Sequence, residues 1–182
     1  MTAKSQTAGS LYLEETRAQL AKLKETTEKA LAQVRDEDLF AQIDAETNSL
    51  AMLVQHLAGN LRSRWTDFLI SDGEKPDRDR DSEFIVAEGT ARTDLLERWE
   101  DGWRCLFSAL EALTEEDLTR TVTIRAEPHS VIKAINRQLG HTAYHAGQMV
   151  LLARHFAGER WQTLSVPRGG TREFNEKMFG KS

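Results

Sequence analysis

Two histidines four residues apart, His141 and His145, carry the clearest chemical signal in the sequence. They lie in a stretch whose apolar residues recur at the helical period, and residues i and i+4 of a helix project from one face. Two imidazoles arranged in this way can bind the same metal ion. The spacing therefore predicts a metal site, although the pair lacks the built-in glutamate of a His-Glu-x-x-His motif.

A stable site needs a third ligand, and His56 is the histidine best placed to supply it. It lies beside the apolar stripe of a separate helical segment, so its ring can point towards the same interior. His129 lies 12 residues before His141 and His155 lies 10 after His145, about 15–18 Å away along the helix. A single inward histidine is usually a hydrogen-bonded core residue. The metal prediction therefore depends on His56, His141 and His145 together.

The predicted ligand set limits the chemistry that the site can perform. Three neutral imidazoles leave the full charge of a divalent ion and at least one open coordination position. Such a centre can acidify a bound water or thiol, or polarise a carbonyl. Histidines alone suit zinc, nickel, cobalt or copper, and the order of affinities does not choose among these metals.

Three polar residues flank the predicted ligands. Asn60 lies one turn after His56 and Gln148 lies three residues after His145, so either amide can orient a ligand or hold substrate. The alternative for both is an amide that faces solvent from a helix surface. Tyr144 directly precedes His145 and points about 100° away from it. It is a further candidate to contact a ligand or substrate, and the alternative is that it packs rather than catalyses. No Asp or Glu adjoins the histidines, so no general base is predicted.

Four helical segments are predicted to position these residues. Each carries an apolar stripe at spacings of three and four, and they cover approximately residues 10–35, 47–70, 93–113 and 130–156. Four amphipathic helices favour an all-α four-helix bundle. About 20 mostly polar residues between helices two and three permit a long crossover connection. Residues 121–125 alternate and are β-branched, which predicts a short extended piece.

Length and composition narrow the class of protein. The 182 residues favour one domain over 1–182, with about the first eight residues flexible and residues 159–182 packed as a tail on the bundle. The net charge of −5 argues against a nucleic-acid partner. No apolar run is long enough to span a membrane, and no apolar signal core begins the chain. Together with the single cysteine, Cys105, these features favour the cytoplasm.

Two charged features have alternative interpretations. Asp77, Asp79 and Asp81, followed by Glu88, have the spacing of a calcium loop, but Ser82 replaces the turn-forming glycine and arginines alternate with the aspartates. A solvated loop whose charges pair with one another is the favoured interpretation.

Arg62, Arg64 and Arg168 form the second feature. They can bind an anionic group on a substrate, such as the carboxylates of a thiol cofactor, and the alternative for each one alone is a solvated surface side chain.

Two segments also resemble the signatures of the DinB/YfiT-like superfamily. These are residues 48–60, Asn-Ser-Leu-Ala-Met-Leu-Val-Gln-His-Leu-Ala-Gly-Asn, and residues 141–148, His-Thr-Ala-Tyr-His-Ala-Gly-Gln. The charged segments 59–68 and 73–79, with Pro-Arg-Gly-Gly at 167–170, are similar to an uncharacterised branch of that group. The resemblance implies a four-helix bundle with a crossover, commonly a homodimer. It also implies a divalent metal, often nickel or zinc, held at His56, His141 and His145.

Three functions are compatible with these observations. Characterised DinB-like proteins include isomerases and S-transferases that use low-molecular-weight thiols, so the first hypothesis is a metal-dependent enzyme that acts on a thiol or thiol adduct. The second hypothesis is a non-catalytic dimeric binding or stress-response module with a structural metal, which the absence of an acid or base favours. The third is a metal-dependent hydrolase.

Overall fold

The computed structural model describes residues 6–180 and is mostly helical, with one small sheet. The sequence predicts a flexible N-terminus over about the first eight residues. Residues 1–5 of that segment lie outside the described part of the chain. The helices are α1 (Ala8–Leu31), α2 (Asp36–Phe40), α3 (Leu50–Trp65), α4 (Arg92–Ala112), α5 (Val131–Ala157) and α6 (Thr171–Phe179). The strands are β1 (Thr121–Ile124) and β2 (Glu127–Ser130), and short 3-10 turns cover Asp81–Phe84, Glu115–Thr119 and Gly158–Arg160.

The ends of the two site-bearing helices follow local sequence signals. The hydroxyl of Ser130 accepts from Lys133 N at 3.1 Å and begins α5, and Gly158, at φ 56°, ends it. The prediction for this helix is confirmed. On α3 the hydroxyl of Ser49 caps the start, and the helix stops at Trp65 shortly before Asp67 adopts φ 51°. The predicted range of 47–70 was therefore too long at both ends.

The predicted extended piece is one strand of a hairpin. β1 pairs antiparallel with β2, with Thr121 opposite Ser130. The two turn residues, Arg125 and Ala126, have φ of 56° and 59°, a conformation that side chains other than glycine rarely adopt. The carboxylate of Asp72 accepts from both of their backbone amides at 2.8 Å and holds this turn in place.

The four long helices pack on one another around a single apolar core. α3 contacts α4 and α5, and α1 contacts α5 and α4, so each long helix touches two others. Trp99 and Trp103 of α4 are 0% and 1% exposed, so both indole rings belong to this core. α3 and α4 approach closely at Gly102. A Cβ on this residue would lie 2.8 Å from the carbonyl oxygen of Ala58, so the close approach requires a glycine.

The crossover, residues 66–91, folds back over α3. Gln55 of α3 donates to the carbonyl oxygens of Glu83 and Ile85 at 3.3 Å. Within the crossover Arg78 pairs with Glu74 and Glu83, which confirms the self-pairing of charges. Asp77, Asp79 and Asp81 are exposed, as the prediction of a solvated loop requires, whereas the side chains of Arg78 and Glu83 in the same crossover are only 6% and 9% exposed.

The C-terminal tail packs on the rest of the chain in its first part. Trp161 and Leu164 contact the core, and Gln162 exchanges hydrogen bonds with Gln33 of α1. The residues of α6 are all exposed. Among the described residues, no helix has the length and apolar character needed to cross a membrane.

Candidate metal centre

Three histidine rings converge between α3 and α5. Each ring offers one nitrogen to a common point, and these three nitrogens all lie within 4.8 Å of one another. Nε2 of His141 lies 3.3 Å from Nε2 of His56 and 3.1 Å from Nε2 of His145. His56 and His145 are buried and His141 is half-buried. The structure thus brings together the three histidines that the sequence singles out, and we call them the histidine centre.

The two helices run antiparallel where they supply these rings. His56 meets His141 at one point of the interface, and Trp65 Nε1–H donates to Gln138 Oε1 at 3.1 Å further along α3 and earlier along α5. The four-residue spacing of the α5 pair places both rings on the face that packs against α3.

The spacing of the nitrogens fits a divalent ion. Zinc bonds to histidine nitrogen at about 2.0–2.1 Å, so two ligands of a tetrahedral site lie about 3.3 Å apart. The Nε2 separations of His141 from His56 and from His145, 3.3 and 3.1 Å, match that value. The donor set and its geometry are therefore those of a centre that can hold a transition metal.

Two of the rings are held through their Nδ1 atoms. His56 Nδ1–H donates to Glu83 Oε2 at 2.8 Å, and Arg78 Nε–H donates to the other oxygen of that carboxylate at 2.8 Å. His145 Nδ1–H donates to Gln148 Oε1 at 2.7 Å. Both contacts leave the lone pair on Nε2, directed at the point where the rings converge.

The ring of His141 cannot donate a hydrogen bond to both His56 and His145. His141 Nδ1 is buried and has no hydrogen-bond partner within the described residues. A single proton on His141 Nε2 can be donated to only one of the two adjacent Nε2 atoms. At least one pair of nitrogen lone pairs therefore faces each other at 3.1–3.3 Å, and a cation at this point would remove that repulsion.

Burial sets the protonation of the centre. Burial, together with repulsion from His145 and His56, lowers the pKa of His141 to about 3. Burial also lowers the pKa of His145, although its contact with Gln148 opposes the shift. Burial raises the pKa of Glu83, but hydrogen bonds from His56 and Arg78 outweigh this effect and hold it below its usual range. Two rings are thus neutral at neutral pH, as metal binding requires.

Glu83 is the residue at this centre that the sequence does not reveal. It lies on the turn Asp81–Phe84 of the crossover, and the ring of Phe84 stacks on His56 with centroids 4.8 Å apart. Gly59 makes room for it, because a Cβ there would lie 2.8 Å from the carboxyl carbon of Glu83. No periodicity links residue 83 to residue 56, so the expectation that no acidic residue stands beside the histidines was wrong.

The flanking polar residues occupy different places. Gln148 contacts His145 directly. Asn60 is 7% exposed, lines a cavity of about 290 Å³ that adjoins His56 and His141, and its buried Oδ1 has no described partner. Tyr144 is 64% exposed, and its ring lies edge-on to His145 with centroids 5.1 Å apart.

The three arginines singled out in the sequence are not together. Arg64 is buried and lines the same cavity as Asn60. Arg62 and Arg168 are exposed, and neither lines this cavity. Of the three, only Arg64 is placed near the histidine centre.

The remaining candidates for metal binding lie apart from the centre. His129 is buried and contacts the carbonyl oxygen of Glu127 at 2.9 Å, and His155 is exposed. Neither belongs to the group formed by His56, His141 and His145. Asp79 of the calcium-like loop caps the backbone amides of Asp81 and Ser82 at 3.1 and 3.2 Å instead of converging with other carboxylates.

Fold and site together define a mostly helical protein with a three-histidine cluster between two long helices. The family model described as "Protein of unknown function (DUF1572)" matches residues 7–170, so the chain belongs to that family. The match covers the chain from α1 to α5, including the crossover and the hairpin, and ends just before α6. No curated protein matches the chain.

Proposed function

We propose that this protein is a metal-dependent enzyme that holds one divalent transition metal, nickel or zinc, at His56, His141 and His145. Its proposed substrate is a low-molecular-weight thiol or a thiol adduct. The observation that carries the proposal is the convergence of the three rings: Nε2 of His141 lies 3.3 Å from Nε2 of His56 and 3.1 Å from Nε2 of His145, and two of the rings are oriented through Nδ1.

The architecture supports a DinB/YfiT-like four-helix bundle. Each of the four long helices packs on two others, a long crossover joins α3 to α4, and the ligands project from two facing helices. The resemblance of residues 48–60 and 141–148 to that superfamily supports the same assignment. On this basis we also infer a homodimer, which analytical ultracentrifugation can test.

The residues around the centre have separate tasks in the proposed enzyme. Glu83 and Gln148 keep the Nε2 lone pairs of His56 and His145 directed at the metal position, and Arg78 fixes Glu83. A metal bound there would supply Lewis acidity that lowers the pKa of a coordinated thiol. The free Oδ1 of Asn60 can accept a hydrogen bond from substrate in the adjoining cavity.

An open cavity beside the histidines favours an enzyme over a module with a structural metal. Structural zinc sites are normally closed by four protein ligands, whereas catalytic sites use three and keep a position open. Here three histidines converge next to a cavity of about 290 Å³. Within the described residues the group has three members, so a coordination position can face this cavity.

Spectroscopy of the cobalt(II)-loaded protein tests the proposal. The loaded protein is titrated with bacillithiol, mycothiol and glutathione, with the S-methyl derivative of each as a control. We expect one thiol to change the visible spectrum and raise the melting temperature, while its S-methyl derivative does neither. A spectrum and melting temperature that stay fixed with all three thiols would contradict the thiol proposal.

A further inference from the structure

The cavity beside the histidine centre has a strongly one-sided charge. It is enclosed by α3, α5, the crossover and the hairpin, and none of its lining residues is an aspartate or a glutamate. Five of the lining residues are arginines, namely Arg64, Arg78, Arg80, Arg125 and Arg137. We call this space the arginine cavity.

Few carboxylates neutralise these arginines. Glu74 is shared by Arg64, Arg78 and Arg125 at 3.5, 3.3 and 3.2 Å. Of the five arginines, Glu83 pairs with Arg78 alone, and it also accepts from His56. Five guanidinium groups therefore have two close carboxylates between them, and the cavity keeps an excess of positive charge.

The two remaining arginines are paired more loosely still. Among the described carboxylates Arg80 pairs with the exposed Asp81 alone, at 4.0 Å, and its guanidinium lies over the ring of Phe84 at 5.2 Å from the centroid. Arg137 contacts Nε2 of His129 at 3.4 Å, and among residues 6–180 no carboxylate pairs with it. Both side chains are exposed, so they form the rim of the cavity.

Arg64 is the buried member of the five arginines, and its guanidinium group is only partly hydrogen-bonded. It is 9% exposed, and its Nη1 is buried without a hydrogen-bond partner in the described chain. Burial lowers the pKa of Arg64 to about 10, and repulsion from Arg137, Arg78 and Arg125 adds to the effect against the attraction of Glu74. A buried charge in this state is costly unless a ligand completes its hydrogen bonds.

We propose that the arginine cavity binds the anionic end of the substrate, a small organic anion with a carboxylate or phosphate group. His56, Asn60 and Arg64 follow one another at four-residue intervals on α3, so they line one face from the histidine centre into the cavity. A molecule held by Arg64 and Arg137 therefore has its other end at the histidines. That second contact rests on the proposed function, whereas the anion site does not.

The size of the cavity limits the ligand. Its volume of about 290 Å³ lies at the lower end of small-molecule sites. His56 and Arg64 are eight residues apart on α3, a rise of about 12 Å. The space suits a compact organic acid and excludes a polymer.

Calorimetric titration of the metal-free and zinc-loaded protein tests the inference. The probes are succinate, inorganic phosphate and the uncharged diamide of succinate. The variants are Arg64→Met and Arg137→Met, with Arg104→Met on the exposed face of α4 as the matched control. Circular dichroism checks the fold, and Arg137→Met serves alone if Arg64→Met does not fold.

We expect at least one anion to bind and the diamide not to bind. Each cavity variant should weaken the anion about 10- to 100-fold, and Arg104→Met should leave it unchanged. Tighter binding of succinate or of phosphate identifies which anionic group the site prefers. Failure of both anions to bind, equal binding of the diamide, or unchanged affinity in both cavity variants would overturn the inference.

Metal analysis of the same samples separates this inference from the proposed function. Arginine-dependent binding of an anion to protein that takes up no zinc would support the anion site and contradict the metal enzyme. Zinc bound at the histidines with no binding of either anion would contradict the anion site alone.

Discussion

Glu83 Oε2 lies 2.8 Å from His56 Nδ1, although the two residues are 27 positions apart and belong to different elements. The contact joins the crossover to α3 at the histidine centre. It fixes which nitrogen of His56 carries the proton and leaves Nε2 directed at the other two rings. The crossover is thus part of the site as well as a connection between helices.

Replacing Glu83 by glutamine tests this contact. Glu83→Gln keeps the size of the side chain but removes the carboxylate charge to which His56 Nδ1–H donates, so we expect the affinity for zinc to fall about 10- to 100-fold. Competition with a chromophoric chelator measures the affinity. Glu88→Gln, an exposed glutamate of the same crossover, is the control. Equal affinities in the wild type and Glu83→Gln would show that the contact does not support the site.

Gly59→Ala should act on the same contact from the opposite side. The added Cβ would lie 2.8 Å from the carboxyl carbon of Glu83, so the carboxylate must move away from His56. We expect weaker zinc binding and a free energy of unfolding lowered by about 1–3 kcal/mol in urea titrations. Gly147→Ala is the matched control, because nothing described lies within 4 Å of its added Cβ.

The control has its own expected direction. Gly147 lies on an open face inside α5, where alanine is the better helix former. Gly147→Ala should raise the free energy of unfolding by about 0.5–1 kcal/mol. If Gly59→Ala behaved in the same way as Gly147→Ala, the close approach of Glu83 to α3 would be refuted.

Gly102→Ala tests the packing that holds α3 in position. A Cβ on Gly102 would lie 2.8 Å from the carbonyl oxygen of Ala58 and 3.0 Å from its Cα, both of them backbone atoms. The helices must separate, so we expect the free energy of unfolding to fall by about 1–3 kcal/mol. Thermal and urea unfolding measure this loss. Wild-type stability in the variant would contradict the close contact between α3 and α4.

Acid sensitivity of the hairpin should depend on Asp72. Hydrogen bonds from the backbone amide of Glu74, and then of Ala126 and Arg125, outweigh burial and lower the pKa of Asp72 from 3.8 to about 2. Because the folded pKa lies below the unfolded one, the carboxylate stabilises the fold above pH 3.8, and this contribution disappears as the pH falls through about 2.

The variant Asp72→Asn should therefore be less stable than the wild type at pH 7 and should approach it at low pH. Urea titrations at pH 7, 4 and 2.5 measure the difference. A difference that is absent at pH 7, or that stays constant down to pH 2.5, would contradict the role of the carboxylate at the turn of Arg125 and Ala126.

Local features of the sequence were sufficient to predict α5 and its histidines. Ser130 and Gly158 are short-range signals for the two ends of that helix, and the spacing of His141 and His145 fixes their common face. The prediction that His56 joins them required only the further assumption that the apolar faces of α3 and α5 meet. These residues could be assigned because each inference uses helical geometry alone.

Glu83 and the arginine cavity could not be predicted in this way. Glu83 reaches His56 only because the crossover folds back over α3, and Arg125 reaches the cavity through the hairpin turn. Such contacts depend on how loops pack, and loop sequences carry no periodic pattern that fixes it. The same limit explains why Arg62 and Arg64, two residues apart, have different surroundings.

The central claim is that His56, His141 and His145 bind one metal ion, and elemental analysis tests it most directly. The protein is purified without a metal-affinity tag, together with His56→Ala, His141→Ala and, as a control, His155→Ala. We predict about one equivalent of nickel or zinc per chain in the wild type and in His155→Ala, and little in the other two variants. Less than about a tenth of an equivalent in the wild type, unchanged in His56→Ala, would contradict the account.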